Sequence, residues 1–211
     1  AWPIYNGDSE SLKEWKCKYR NIARMINTPF PEDDKLLVPN GSENAFLPPI
    51  NTQNCYVWGR SLTNMRYELI GNSDIRISAG GKHLNYKGRM PGVLEEIAIT
   101  IMQKKPLYLL GGFGGVTSSV CEMIEKNELP EKLSKQWQLQ NQGGYKDLID
   151  LYTEADTWND FMYDDLKEMI RMENLNNGLN SEDNIKLFKT QFVDEAIYLI
   201  LKGVKNIISN N

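Results

Sequence analysis

Histidine, cysteine and excess basic charge are all scarce in this 211-residue sequence. His83 is the only histidine, and the three cysteines are spread singly, without a C-x-x-C pair. A structural zinc ion is held by four His or Cys ligands, usually with closely spaced pairs such as C-x-x-C. One histidine and three scattered cysteines do not fit that pattern, so we expect no metal and no cofactor. Isolated thiols are typical of a reducing compartment, so we expect the protein to be cytoplasmic.

Charge and hydropathy exclude two classes of partner. The 24 Lys and Arg residues are outnumbered by 28 Asp and Glu residues, whereas a nucleic-acid surface needs a basic patch. No apolar run approaches the ~20 residues that span a bilayer. The first residues also lack the basic and apolar segments of a signal peptide. We therefore expect no nucleic acid and no membrane among the partners. Because the chain does not begin with Met, we expect a domain excised from a longer protein.

Three short apolar runs organise the middle of the chain. They lie at residues 55–58, 74–78 and 107–110, and each ends in a cluster of Gly, Ser or Arg that precedes a helix-like pattern. Strands that alternate with helices indicate parallel βαβ units. The predicted fold class is therefore α/β, with a Rossmann-like, mostly parallel sheet flanked by helices. Ligands of such sheets bind outside the carboxyl ends of the strands, so we expect the site there.

The two ends of the chain have a different character. An amphipathic helix over residues 9–26 and a long irregular loop precede the sheet, whereas only helical patterns follow residue 130, at 145–152, 158–172 and 184–208. We predict a nucleotide-binding domain over 1–129 and an α-helical appendage over 130–211. The appendage either packs on the sheet or leads to a neighbouring domain. Its wide apolar faces favour a homo-oligomer.

The strongest candidate for ligand contact is the run Gly111, Gly112, Phe113, Gly114 and Gly115, which joins a predicted strand to a predicted helix. Glycine lets the backbone approach a ligand closely, and the free N–H groups at a helix start attract anions. We interpret the run as a phosphate or ribose contact. The alternative is a tight strand-to-helix turn without a ligand.

Other candidate ligand-binding positions flank the remaining strands: Arg60, Ser61, Arg66, Asp74, Gly80, Gly81 and Gly92. Arginine can clamp a phosphate with two hydrogen bonds, an aspartate can bond a ribose hydroxyl, and a glycine-containing loop can close over a ligand as a lid. Each position also has an ordinary structural role as a helix cap, surface ion pair, turn or solvated loop. The sequence leaves both interpretations open.

Glu95 and Glu96 are the candidate catalytic residues. They follow Gly92 in the first turn of a predicted helix, where their side chains point about 100° apart, so only one can face the crevice at the strand ends. A carboxylate there can attack an anomeric carbon or stabilise an oxocarbenium-like transition state. The alternative is that both acids complement the helix dipole.

The order of the motifs resembles the SLOG superfamily. The motifs are G-x-S, D-x-R-I, P-G-x-x-E-E and K-P-L-Y-L-x-G-G-F-G-G, within residues 54–125. SLOG proteins are Rossmann-like nucleotide-binding domains related to the LOG phosphoribohydrolases and the nucleoside 2-deoxyribosyltransferases. In those relatives a catalytic Glu lies four residues after a Gly, and the resemblance assigns that position to Glu96. The chain departs from the LOG pattern PGGxGTxxE, because it has PGVLEE and its Gly-rich run follows the next strand.

The resemblance implies a sensor-type domain that binds ADP-ribose, an NAD-derived nucleotide or a similar nucleotide. Such relatives occur in antiviral-defence proteins, which implies a nucleotide ligand and, as partner, a fused effector domain or a second copy of the chain. The alternative is an enzyme that cleaves an N-glycosidic bond, as a nucleosidase, phosphoribohydrolase or deoxyribosyltransferase does, with Glu96 as its carboxylate. A third interpretation is a protein-interaction domain with a vestigial pocket.

Overall fold

The computed structural model describes residues 10–26, 28–31, 38, 46–155 and 161–209. That part of the chain contains two strands, β1 (Arg76–Ala79) and β2 (Leu107–Leu110), and nine α-helices. The helices are α1 (Glu10–Tyr19), α2 (Thr52–Gly71), α3 (Gly92–Met102), α4 (Gly115–Lys126), α5 (Lys135–Asn141), α6 (Tyr145–Glu154), α7 (Leu166–Met169), α8 (Ser181–Lys189) and α9 (Val193–Ser209).

The strands form one parallel pair, with Arg76 opposite Leu107 and Ala79 opposite Leu110. Helix α3 connects them, so β1, α3 and β2 make a βαβ unit, and the predicted α/β class is confirmed at that level. The sheet has two strands within the described residues. The larger Rossmann-like sheet that the sequence predicted is not seen there.

The missing strand is the one predicted at residues 55–58, and that prediction was wrong, because these residues lie inside α2. Asn51 caps the helix, since its side chain accepts a hydrogen bond from the backbone N–H of Asn54 at 2.8 Å. Buried positions such as Tyr56, Thr63 and Ile70 then recur at helical spacing. An Asn cap followed by this period favours a helix over a strand.

Strand β2 is covered on both faces. Leu107 and Leu109 belong to the main apolar cluster, which also contains residues of α3 and α4. Tyr108 points the other way and packs with residues of α8 and α9, including Leu187 and Leu199. The unit therefore has helices on both sides of the sheet, as the parallel pairing requires.

The outer edge of β2 is closed by the segment before α8. The N–H of Leu107 donates to the carbonyl of Leu175, and the carbonyl of Leu107 accepts from the side chain of Asn177, both at 2.8 Å. Asn177 is itself held by Asn184 at 2.8 Å. These bonds satisfy backbone groups that would otherwise require another strand.

The C-terminal helices differ from the prediction in two places. Residues 184–208 are not one helix but two, α8 and α9, separated by residues 190–192, where the hydroxyl of Thr190 accepts a hydrogen bond from the N–H of Phe192 at 3.1 Å. The predicted helix over 158–172 is also wrong in its described part. Only α7 is α-helical there, between two short 3-10 turns, and residues 158–160 lie outside the described residues.

The main apolar cluster crosses residue 130. It joins Leu94 of α3 and Val120 of α4 to Tyr145, Phe161 and Leu166, which follow residue 130. The helices after residue 130 therefore pack against the unit that carries the sheet, although the division at 130 stays a prediction. At the other end α1 is shorter than predicted and buries no side chain.

Candidate functional site

The glycine run after β2 forms a tight turn. Residues Gly111–Phe113 make one turn of 3-10 helix, and Gly114 follows at φ +76° and ψ −161°, a conformation that is nearly exclusive to glycine. A Cβ on Gly111 would lie 2.5 Å from the carbonyl oxygen of Phe188. A Cβ on Gly112 would meet the carbonyl groups of Lys189 and Thr190, at the end of α8. The first two glycines are therefore explained by packing against α8.

The last glycine of the run lets α4 approach the loop that follows β1. A Cβ on Gly115 would lie 2.6 Å from the carbonyl carbon of Gly80. In the same place the N–H of Val116 donates to the carbonyl of Gly81 at 3.0 Å, and the N–H of Thr117 donates to the carbonyl of Gly80 at 2.9 Å. Two N-terminal N–H groups of α4 are thus bonded within the fold, so neither is free for a phosphate.

Gly114 is a member of the run with open space beside it, although its N–H donates to the carbonyl of Gly111 at 2.9 Å. A Cβ built there would have no neighbour within 4 Å. Beside it lies a hollow of about 470 Å³ between α4 and α8. Its lining consists of Gly111, Gly112, Gly114, Ser118, Cys121, Glu122, Glu125, Lys126, Phe188, Lys189 and Gln191. The hollow therefore offers glycine backbone, one hydroxyl and two ammonium groups.

The charges at this hollow are paired. Lys126 lies 2.5 Å from Glu122, one turn earlier on α4, and Lys189 of α8 lies 2.7 Å from Glu125 of α4. Burial, with the charge of Glu125, raises the pKa of the Cys121 thiol well above its usual range. The thiol therefore stays protonated and is not a nucleophile.

Glu95 occupies a buried cluster at the start of α3. One of its carboxylate oxygens accepts hydrogen bonds from Thr63 Oγ1 at 2.6 Å and Arg89 Nε at 3.1 Å. The other accepts from Arg66 Nη1 at 2.5 Å. Glu95 and Arg89 are each 1% exposed. This carboxylate is surrounded by donors, and it joins α3 to α2 and to the loop that follows β1.

Gly92 makes this pairing sterically feasible. A Cβ there would lie 2.5 Å from Arg66 Nη2, so the guanidinium passes directly over the glycine on its way to Glu95. Arg89 is fixed from two further sides. Its guanidinium stacks 4.5 Å above the ring of Phe161, and its carbonyl accepts from the hydroxyl of Tyr145. Burial raises the pKa of Tyr145 to about 12, so that hydroxyl keeps its proton.

Glu96 lies closer to solvent than Glu95 but is also paired. It contacts Arg76 of β1 through a short ion pair and Arg66 Nε at 3.5 Å. Its side chain is 17% exposed. Three arginines therefore surround two carboxylates at the start of α3, and Arg66 contacts both acids.

The remaining predicted positions are scattered. Ser61 lies inside α2, fully buried, and its hydroxyl donates to the carbonyl of Val57 at 2.9 Å. Arg60 is half-buried on the same helix. Asp74 is exposed and precedes β1, whereas Gly80 follows β1, so the two residues lie at opposite ends of the strand.

The structure thus forms three groups from the predicted residues. Arg66, Gly92, Glu95 and Glu96 meet at the start of α3, Gly80 and Gly81 meet Gly115, and Gly111, Gly112 and Gly114 line the hollow. Neither Ser61 nor Glu96 lines that hollow.

Sequence reasoning missed the partners of these groups. Arg76, Arg89 and Thr63 complete the carboxylate cluster, whereas Ser118, Lys126 and Lys189 complete the hollow. Ser118 and Lys126 sit on the predicted helix that follows the glycine run, so that helix carried a usable signal. Lys189 is distant in the chain, and only the packing of α8 brings it in.

Comparison with known families identifies the domain. A family model described as SLOG cluster2 matches residues 1–187. The chain belongs to the SLOG cluster2 family. SLOG domains are nucleotide-related. The matched span contains the βαβ unit, the glycine turn and most of α8, whereas α9 lies beyond it. No curated protein and no solved structure matches the chain.

Two further properties of this SLOG domain bear on its partners. Among the described residues, no group of His, Cys, Asp and Glu side chains is arranged to hold a metal ion. In the same part of the chain, every helix is too short or too polar to cross a membrane.

Proposed function

We propose that this SLOG domain binds a nucleotide, such as ADP-ribose or an NAD-derived nucleotide, in the hollow beside the glycine turn, and that it acts as a sensor. The supporting observation is the open space beside Gly114, next to the ammonium groups of Lys126 and Lys189. Nucleotide phosphates are bound by such cations.

The pairing of the carboxylates supports binding over cleavage. A nucleophilic carboxylate must reach an anomeric carbon, but Glu95 is buried beneath two arginines and a threonine. Glu96 is held between two arginines. We therefore assign both glutamates to holding α3 against its neighbours, and we propose that the ligand leaves the site unchanged.

The resemblance to relatives in antiviral systems extends this proposal. We propose that the domain reports its ligand to an effector region of a larger protein in antiviral defence. The free thiols of Cys17, Cys55 and Cys121 support a location in the reducing cytoplasm.

One experiment separates the sensor from the enzyme. The purified chain is incubated with NAD, ADP-ribose, AMP or deoxynucleotides, thermal unfolding is recorded, and free base is followed by chromatography. Because a ligand that binds only the folded state raises its stability, we expect a higher melting temperature without base release. Base release that disappears in Glu96→Gln would establish the enzyme instead. If the chain shows neither stabilisation nor base release, the protein-interaction interpretation is favoured.

A pair of lysine variants tests the location of the site. We expect Lys126→Gln to weaken nucleotide binding by about tenfold, the loss of one charge-assisted hydrogen bond. Lys146→Gln is the matched control, because Lys146 forms the same kind of pair with Asp150, at the same 2.5 Å distance, away from the hollow. Equal affinities of the two variants, measured by calorimetry, would place the ligand elsewhere.

A further inference from the structure

Helix α9 has two apolar faces, and the fold uses only one of them. Ala196, Leu199 and Ile200 are buried against the sheet and α8. A second row remains in solvent, namely Val193, Ile197, Leu201 and Ile208, which we call the α9 stripe. Leu201, at its centre, is 62% exposed. Isolated exposed apolar residues are ordinary, but a contiguous row marks an interaction surface.

The spacing of the α9 stripe fits a helical partner. Its members follow one another after four, four and seven residues, so they form one seam along the helix. Such a seam is the pattern by which two helices pack side by side. Tyr198 of the same helix and Phe192, just before its start, are also exposed, at 65% and 75%.

The charged residues beside the α9 stripe favour a second copy of the same helix as the partner. Asp194 and Lys205 are both exposed and lie 11 residues apart. That separation is three turns to within about 20°, so both lie on the same flank of the stripe, about 17 Å apart. In an antiparallel pair of α9 helices, centred between residues 199 and 200, Asp194 of each copy meets Lys205 of the other. The helix is therefore complementary to itself.

We propose that the chain forms a twofold-symmetric homodimer in which the α9 stripes of two copies pack antiparallel. The same register sets Ile197 of one copy beside Leu201 of the other, so the apolar and charged contacts agree. Twofold interfaces use one patch on both subunits, and this patch meets that requirement. The dimer is independent of the nucleotide site, because α9 does not line the hollow.

The test is the oligomeric state of the whole chain by analytical ultracentrifugation. One helix face on each subunit makes a small interface, so we expect a dissociation constant of about 1–10 μM. We expect Leu201→Glu to abolish the dimer while leaving the melting temperature of the monomer nearly unchanged, because the side chain is exposed. A monomer throughout this concentration range, or a dimer unaffected by Leu201→Glu, would overturn the proposal.

Charge exchange tests the antiparallel register. Asp194→Lys alone and Lys205→Asp alone place like charges together, so each is expected to weaken the dimer by about tenfold at low salt. The double variant restores both pairs and is expected to recover the dimer. Failure of that recovery would contradict the register. Binding of a wild-type monomer to anionic lipid vesicles, in place of dimer formation, would identify α9 as a membrane-surface helix and overturn the homodimer.

Discussion

Each of the two strands is followed by a helix, but the two strand-to-helix junctions are built differently. After β1, the chain reaches α3 through a loop whose end is closed by buried arginine and glutamate side chains, with Glu95 at the centre. After β2, it reaches α4 through glycines, and Gly114 has open space beside it, next to a hollow. The closed junction is suited to holding elements together, whereas the open one has room for a ligand.

The largest expected effect concerns the closed junction. Glu95→Ala removes the carboxylate that the buried guanidinium groups of Arg66 and Arg89 share, so we expect the free energy of unfolding to fall by about 3–5 kcal/mol. Urea unfolding followed by circular dichroism measures the loss. Glu182→Ala is the control, since it breaks an exposed pair with Lys186, and its expected effect is below about 0.5 kcal/mol. Equal losses would show that the Glu95 cluster is not a structural centre.

An intermediate effect is expected where the two junctions meet. Gly115→Ala combines a backbone at φ +65° with a Cβ placed 2.6 Å from Gly80, and we expect a loss of about 2–4 kcal/mol. Gly114→Ala carries the backbone strain without the clash and should lose less. The same unfolding measurement, applied to both variants, checks the order. A greater loss for Gly114→Ala would mean that the backbone strain at Gly114 outweighs the clash of Gly115→Ala with Gly80.

The smallest expected effect is a pH dependence at the loop after β1. His83 Nε2 lies 2.9 Å from Ser119 Oγ, and burial together with the charge of Lys132 lowers the pKa of His83 below 6.5. As the pH falls below 6.5, the unfolded chain binds a proton before the folded chain does, so stability decreases until the folded pKa is passed.

Melting temperatures measured between pH about 7.5 and about 5.5 test this dependence. We expect the wild type to lose more stability over that range than His83→Gln, which has no group that titrates there. Identical pH profiles would show that the fold does not disfavour protonation of His83.

The sequence was informative where local signals suffice. Strand β2 lies at the predicted residues, and α3 begins directly after Pro91, where the missing N–H of proline is tolerated. The start of α2 was misassigned, because the apolar run at 55–58 favours a strand and the cap at Asn51 was not recognised. A capping residue is a weak signal beside such a run, although here it determines the outcome.

Other features depend on contacts between distant parts of the chain. Helix α8 ends at Lys189 without a glycine or proline, and its last carbonyl groups lie against Gly112. The sequence near residue 190 has no glycine or proline that would predict the end of the helix there. The carboxylate cluster likewise joins Thr63 and Arg66 of α2 to Glu95 of α3. Single-sequence periodicity contains no information on which buried charges will meet.

The hydrogen bonds from α4 to the carbonyl groups of Gly80 and Gly81 have a mechanical consequence. The loop after β1 is itself fastened to α5, where Tyr86 donates to Gln138 at 2.8 Å and the carbonyl of Tyr86 accepts from Gln142 at 2.9 Å. The loop after β1 is thus hydrogen-bonded to α4 at one end and to α5 at the other. We therefore expect a movement of α4 beside the hollow to displace the loop and, with it, α5.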